Sequence, residues 1–599
     1  MNVKTSVVMS KDIHKPEQLI TEHIDLWTSA ILAKSTSGRG NSKKYELYGI
    51  SKLRELILEL AVRGKLVPQD TNDEPASVLL EKIAVEKVQL IKDKKIKKPK
   101  KLAEVSDDEH YFSTPQGWYW SRLNDIGEWG AGATPSRSNS KYYGGGIPWF
   151  KSGELSEDYI SESQETITES ALKETSLREN KPGDVLLAMY GATIGKASIL
   201  EVAGTTNQAV CACTPFSGIT STFLLILLKA YRARFIGMGA GGAQPNISRE
   251  KIIATVIALP PTNEQHRIVA KVDELMLLCD QLEQQTEASI EAHATLVEVL
   301  LATLTDSSDA DELAQNWARI AEHFDSLFTT EQSIEALKQT VLQLAVMGKL
   351  VQQDPNDEPA SVLLEKIAEE KERLIKDKVI KKEKPLPAIT DKEKPFELPQ
   401  DWGWERLQNI TNLITKGSSP KWQGVQYTED PKDILFVTSE NVGSFKLIFK
   451  NKKYVEKKFN EIESRSILQK GDFLMNIVGA SIGRTATYDL DISANINQAV
   501  CLIRGFPNYL SSYYLLMFFN SAICVSYMFD KQVDNARANL SMGNISKFLI
   551  PIPPLAEQHR IVAKFDELMT ICDQLKEKLQ QSQETQVQLT DALIDSALR

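Results

Sequence analysis

EQHRIVAKVDELMLLCDQL, residues 264–282, returns as EQHRIVAKFDELMTICDQL, residues 557–575, with three of nineteen positions changed. A duplication this close restricts the fold more than composition does, because two nearly identical segments need nearly identical surroundings. It extends along the chain. NDEPASVLLEKIA occurs at 72–84 and, letter for letter, at 356–368, an offset of 284. The same offset aligns LAVRGKLV (60–67) with LAVMGKLV (344–351) and PQGWYWSRL (115–123) with PQDWGWERL (399–407). By His266 and His559 the offset has grown to 293, so nine extra residues entered where the two copies look least alike. Each copy is a repeated frame around a divergent insert.

The frame is helical by its own pattern. Ile268, Val272, Leu275, Cys279 and Leu282 follow alternating steps of four and three, as do Ile561, Phe565, Leu568, Cys572 and Leu575, the spacing that keeps an apolar seam on one side of a helix. Pro260-Pro261 and Pro553-Pro554 stand just upstream, where proline is tolerated at a helix start and stops a preceding strand. Two seams in one chain can cover each other, so the partner expected for the helix from 264 to about 304 is the helix from 557 to about 598. Cys279 and Cys572 then read as seam residues and not as redox groups. The inserts carry short strand-like runs bounded by turn residues, such as GDVLLAMYG (183–191) and GDFLMNIVG (471–479), and read as mixed α/β domains. Lysine runs at 92–101 and 376–384 read as solvated helix ends or linkers, with a phosphate-contacting arm as the functional alternative.

With 599 residues the chain holds several cores. No apolar run approaches the ~18 residues of a membrane helix; FLLILLKAYRARF (223–235) comes nearest and is broken by charge. The N-terminus lacks a secretory pattern, so a cytoplasmic location is expected. Six cysteines without a CxxC pair and seven scattered histidines suggest neither disulfides nor zinc. The formal net charge of −10 lies outside the inserts: residues 111–261 hold thirteen Lys/Arg against thirteen Asp/Glu, and residues 395–553 seventeen against fifteen. Overall acidity therefore leaves room for a local basic surface that binds phosphate.

No catalytic set is visible. GATIGK (191–196) has one residue too few between its glycines for a P-loop; it reads as a tight turn between strands, or as a loop whose Lys196 touches a phosphate. Its counterpart GASIGR ends in Arg484. No GxSxG, HExxH or complete GxGxxG pattern appears, and the Pro-Pro pairs lack the preceding Asn or Asp of an amino-methyltransferase motif.

LPPTNEQHRIV and IPPLAEQHRIV, preceded by NIS (246–248) and NLS (539–541), stand in order with GATPS, GGGIPWFKSGEL, KPGDVLLAMYGATIGK and TNQAV. In the second copy KGSSPK, QKGDFLMNIVGASIGR and INQAV take the same places. This ordered set, present twice over nearly the whole chain, resembles the specificity subunits of type I restriction-modification enzymes, in the subclass with a long N-terminal conserved region. The second copy departs from the first where SSPK replaces the Thr-Pro-Ser turn and ILFVTSE replaces IPWFKSG, so loop contacts do not transfer between copies. The fold class expected is α+β, with two α/β target-recognition domains separated by long helices packed as an antiparallel coiled coil in a pseudo-twofold duplication. The expected divisions are an N-terminal conserved helical region at 1–108, recognition domains at 109–262 and 393–555, a central helical spacer at 263–392 and a C-terminal conserved helix at 556–599.

The resemblance implies a non-catalytic subunit that reads a bipartite, asymmetric target in double-stranded DNA. Its implied partners are two methyltransferase subunits, which modify adenine N6 with S-adenosylmethionine, and restriction subunits, which use ATP and Mg2+ to translocate and cleave unmethylated DNA. No cofactor is expected on this chain, and no membrane. The residues expected at DNA are Ser136, Arg137, Lys141, Tyr142, Tyr143, Lys151 and Lys196 in the first insert, and Lys416, Ser418, Lys421, Trp422, Tyr427, Ser439 and Arg484 in the second. Arg and Lys suit guanine edges and phosphates. Trp118, Trp120, Trp402 and Trp404 recur in both copies and read as core, while Asn207-Gln208 and Asn497-Gln498 recur and read as shared structure, since readers should differ. Two other classes stay open: a duplicated coiled-coil scaffold for proteins, without salt-sensitive DNA affinity, and an enzyme that turns over substrate without partners.

Overall fold

A computed structural model describes residues 16–33, 45–98, 102–239, 245–308, 310–530 and 540–599. The chain divides into two compact units, Met1–Ser289 with Ser582–Arg599, and Ile290–Gln581. Helices α1 (Tyr48–Val62) and α2 (Ala76–Lys92) precede the first insert and α3 (Thr262–Asp306) follows it. Helices α4 (Glu331–Val346) and α5 (Ala360–Lys376) precede the second insert and α6 (Leu555–Leu598) follows it. Helix α3 begins in the first unit and ends in the second; α6 does the reverse.

Within the second unit the start of α6 and the end of α3 share one core. Ile561, Phe565 and Cys572 lie in it with Val297, Leu301 and Leu304, together with Ile334, Leu337 and Val341 of α4. The long helices are thus antiparallel partners there, as expected, and α4 adds to the cover of the seam. A heptad pattern fixes which side of a helix is apolar and leaves open what covers it. Helix α4 supplies much of the cover for α6, and Lys338 of α4 bonds Asp573 at 2.5 Å. In the first unit α1 takes the corresponding place, with Arg54 donating to Asp280 at 2.7 Å and Glu283 at 2.8 Å on α3. Cys279 and Cys572 are buried, and burial pushes both thiols up to about 11. They are seam residues.

Helix α1 and the residues after it meet the end of α6 in the first unit. The Tyr48 hydroxyl donates to Asp591 at 2.7 Å, and Lys65 donates to the carbonyls of Ala597 and Leu598 at 3.5 and 2.9 Å. In the second unit the equivalent Lys349 donates to the carbonyls of Thr305 and Ser307 at 2.7 and 3.0 Å. Both lysines thus cap a long helix where its last carbonyls lack partners and its dipole favours a cation. The N-terminal region therefore stands to the end of α6 as the α4 region stands to the end of α3. Helix α3 is long and apolar enough by length and composition to cross a membrane, although the sequence holds no unbroken apolar run of that length. A single helix of this kind is a weak sign; it buries Ile268, Val272, Leu275, Cys279, Leu282, Val297, Leu301 and Leu304 and exposes Leu277, Leu296 and Val299.

The repeated EQ pair opens each long helix. Glu557 accepts from Gln353 at 3.1 Å and from the Trp402 indole at 3.0 Å, and Gln558 accepts from the Ser511 amide at 2.9 Å. Burial raises the Glu557 carboxyl above its ordinary value of 4.5, and Glu264 is raised in the same way. A carboxyl raised on folding contributes stability that is present at pH below 4.5 and lost as the pH climbs through the folded value. Glu557→Gln keeps an acceptor and is expected to flatten this part of the stability curve, with a change of about 1 kcal/mol or less at the acid end. Urea unfolding of both forms between pH 4 and pH 8 checks it, and parallel curves would contradict the assignment.

Each insert is rooted by a short antiparallel pair, Tyr119–Arg122 with Val256–Leu259 and Gly403–Arg406 with Leu549–Ile552. Trp118 is buried at the first root. Trp120, Trp402 and Trp404 are half-buried in aromatic clusters with His110, Tyr514 and Phe396. The first insert then has a five-stranded sheet ordered Gly127–Ala131, Val210–Pro215, Val185–Ala188, Ala197–Leu200, Tyr159–Ile160, and a three-stranded sheet in which Tyr143–Phe150 (β1) lies between Thr205–Thr206 and Thr166–Ile167 (β2). The second repeats the plan with Thr411–Lys416, Val500–Gly505, Phe473–Asn476, Thr485–Thr487 in one sheet. Its other sheet is Tyr427–Thr428, Tyr454–Val455 (β4), Ile434–Val437 (β3), Ala494–Ile496. Within the lysine runs, Lys94 and Lys378 have φ of 58° and 60° and close α2 and α5, with Lys95 N–H bonding the Leu90 carbonyl and Val379 N–H that of Leu374. The runs therefore begin as helix ends.

Candidate nucleic-acid interface

The same turn enters the variable loop in both inserts. Gly132 N–H bonds the Val210 carbonyl at 2.9 Å and Gly417 N–H bonds that of Val500 at 3.4 Å. A Cβ on Gly132 would lie 2.3 Å from the Thr206 carbonyl oxygen, and one on Gly417 1.9 Å from that of Ile496. Only glycine lets the loop cross its neighbouring strand here. Asn207 and Asn497 hold the facing turn: each side-chain oxygen accepts from the amide two residues on, Ala209 and Ala499, at 3.1 Å. Both asparagines are structural, as their recurrence indicates, and Gln208 accepts from Thr134 of the loop.

In the first insert the loop brings Ser136, Arg137, Lys141, Tyr142, Tyr143 and Lys151 onto and around β1. The guanidinium of Arg137 lies 4.6 Å from the Tyr143 ring centre and 5.0 Å from that of Trp149, and its Nη1 bonds Glu165 at 2.5 Å. Lys151 bonds the other oxygen of the same carboxylate. Arg137 first, then Lys151, hold Glu165 down to about 2. Both rings are fixed in turn, Tyr143 by its hydroxyl to the Pro135 carbonyl at 2.6 Å and Trp149 by its indole to that of Ala133 at 3.1 Å. Tyr142 donates to Glu174 at 3.2 Å, Ser136 pairs with Ser138 at 2.8 Å, and Lys141 is exposed. Glu165 is not among the residues expected from the sequence. It lies in an acid-rich stretch, and only its place just before β2 sets it apart.

The second insert differs. Trp422 is 72% exposed and Tyr427 57%, with Tyr427 edge-on to Phe436 at 5.8 Å. Ser418 accepts from Gln423 at 3.0 Å, and the Ser439 carbonyl from Asn476 at 3.0 Å. Lys416, Lys421 and Arg484 are exposed and, among the described residues, make no ion pair. GATIGK and GASIGR are hairpin turns: Gly195 N–H returns to Ala188 at 3.0 Å and Gly483 N–H to Asn476 at 3.2 Å. They leave Lys196 half-exposed and Arg484 exposed at the turn's end. Residues 240–244 and 531–539, with Asn539 of the NLS motif, lie outside the described residues.

Two loops of equivalent position thus present different chemistry on one scaffold, which is what two readers of different sequences require. The family model described as "Type I restriction modification DNA specificity domain" matches residues 115–292 and again 399–584. The chain is 39% identical to the type I restriction enzyme EcoAI specificity subunit of Escherichia coli over 603 aligned positions, covering 97% of this chain and 99% of that one. It is 40% identical to the EcoEI specificity subunit of the same organism, with the same coverage of each. Among solved structures, the HsdS subunit from Thermoanaerobacter tengcongensis aligns at 18% identity and a TM-score of 0.40, over 82% of this chain and 98% of that one. With both inserts matched and two relatives aligned nearly end to end, the chain belongs to the specificity subunits of type I restriction-modification enzymes, the non-catalytic subunits through which these enzymes recognise their DNA sequence.

Proposed function

We propose that this subunit reads a bipartite, asymmetric target in double-stranded DNA, one half by each insert, with 109–262 and 393–555 as the recognition domains. Regions 1–108, 263–392 and 556–599 form the frame that spaces them. In the cytoplasm it serves two methyltransferase subunits that modify adenine N6 with S-adenosylmethionine, and restriction subunits that use ATP and Mg2+ on unmethylated DNA. The DNA faces are the loops 132–151 and 416–439, joined by the turns carrying Lys196 and Arg484. One observation carries this reading: the turns entering these loops are the same, while Ser136-Arg137 stands where the second copy has Lys421-Trp422. A protein-binding scaffold gives no reason for a shared frame to carry such different loop heads.

Alanine at Lys421, Trp422 and Tyr427 is expected to relax the second half-site by about 1–3 kcal/mol for each lost base contact and to leave the first half-site unchanged. Mapping methylated adenines made by the variant with its natural partners measures both halves at once. Altered preference in both halves would contradict independent readers, and DNA affinity indifferent to salt and sequence would favour the scaffold.

A further inference from the structure

The cluster around Glu165 exists in only one copy of a duplicated sheet. Backbone bonds set the equivalence: Trp149 N–H bonds the Glu165 carbonyl as Phe436 N–H bonds that of Lys453, and Asn207 N–H bonds Phe150 as Asn497 N–H bonds Val437. Glu165 therefore corresponds to Lys453 and Lys151 to Thr438, while the shared glycine turn pairs Arg137 with Trp422. The second insert forms the same strand pairing, β3 against β4, with uncharged Trp422 and Thr438 at two of these places and the opposite charge, Lys453, at the third. The fold does not need them. Nor does stability, because an ion pair this open contributes little, and the Arg137 side chain is 55% exposed.

What the cluster does is hold one guanidinium still. Glu165 takes Nη1, and two pinned rings, Tyr143 and Trp149, lie within 5.0 Å of its centre. The Nε and Nη2 donors make no bond among the described residues. A phosphate contact tolerates a mobile cation, whereas reading a base requires a fork in a fixed plane. Two parallel donors on a fixed guanidinium match the O6 and N7 acceptors of guanine in the major groove.

We propose that Arg137 is the specificity-determining residue of the first recognition domain and reads a guanine, with Glu165, Tyr143 and Trp149 as its positioning residues. Lys151 shares the Glu165 carboxylate and leaves it one oxygen for Arg137. This rests on loop 132–151 facing DNA.

The test uses the assembled methyltransferase complex and its mapped target. Arg137→Lys keeps the charge and removes the fork; it is expected to lose about 5- to 150-fold discrimination at one G·C pair of the first half-site, with the salt slope of binding unchanged. Replacing that guanine by 7-deazaguanine should weaken the unaltered complex and leave Arg137→Lys indifferent. Glu165→Gln should relax the same base pair, in a chain that melts as the unaltered one does. A uniform loss of affinity with a shallower salt slope would make Arg137 a phosphate contact, overturning the guanine assignment while keeping the DNA face. A first half-site without guanine on either strand would also overturn it. No change in affinity or preference from Arg137→Ala would overturn the DNA face as well.

Discussion

Four helix-forming residues added to each long helix, between Ser289 and Ile290 and between Gln581 and Ser582, are expected to leave both half-sites readable and to widen the gap between them by about one to two base pairs. Each insertion lengthens a helix by about 6 Å and turns the portion beyond it by about 40°. Successive base pairs are about 3.4 Å apart, so the length matches nearly two steps. The rotation falls short of the DNA twist over two steps, about 70°, and bending takes up the difference. These positions are where the chain passes between its compact units on both helices, so the cores on either side keep their contacts. An insertion after Leu304, where the sequence leaves the seam for TDSSDADE, is expected to fail. Leu304 is fully buried with Val297 and Leu301, and the carbonyls of Thr305 and Ser307 are held by Lys349. Shifting Val297, Leu301 and Leu304 against Ile320, Ile334 and Leu337 of the same core takes large apolar side chains out of their packing, at roughly 2–5 kcal/mol each. Mapping methylated sites for both altered subunits with unaltered partners separates the cases. An unchanged gap with full activity in the paired insertion would show that the partner subunits hold the ruler.

Asp472→Ala is expected to destabilise the second recognition domain by about 3–5 kcal/mol, with loss of the second half-site before the first. Asp472 is buried after a glycine turn and accepts the Gln469 amide at 2.7 Å. Arg504 meets it with two parallel bonds, Nε at 2.6 Å and Nη2 at 2.7 Å. Removing the carboxylate leaves a largely buried guanidinium without its counter-charge, and that residue dominates the cost. The first insert supplies an internal control. Asp184 caps the same turn through the Lys181 amide at 3.0 Å, but the strand residue opposite is Thr214, and burial raises its carboxyl. Asp184→Ala should therefore cost less, and Asp472→Ala combined with Arg504→Met should recover part of the loss. Denaturant unfolding of the full chain measures all four forms. A loss below about 1 kcal/mol for Asp472→Ala would contradict the pairing as a structural element.

The heptad seams, the proline-marked helix starts, the strand-turn-strand runs and the recurring Asn-Gln pair were legible in the letters, because each is a short-range pattern repeated twice. Repetition also located the inserts and, through the differences between copies, the loops proposed to read DNA. Three things were decided only by the tertiary structure. The long helices do not cover their seams alone: α4 joins α3 over the α6 seam, because an apolar stripe accepts any apolar partner that lies near it in space. The end of α6 is capped by Lys65, more than five hundred residues earlier, which no local pattern announces. Among equal-looking cations, Arg137 and Lys151 are tied to Glu165 while Lys416, Lys421 and Arg484 stand unpaired among the described residues. Charge is written in the sequence, but whether it is neutralised depends on distances that only the folded chain sets.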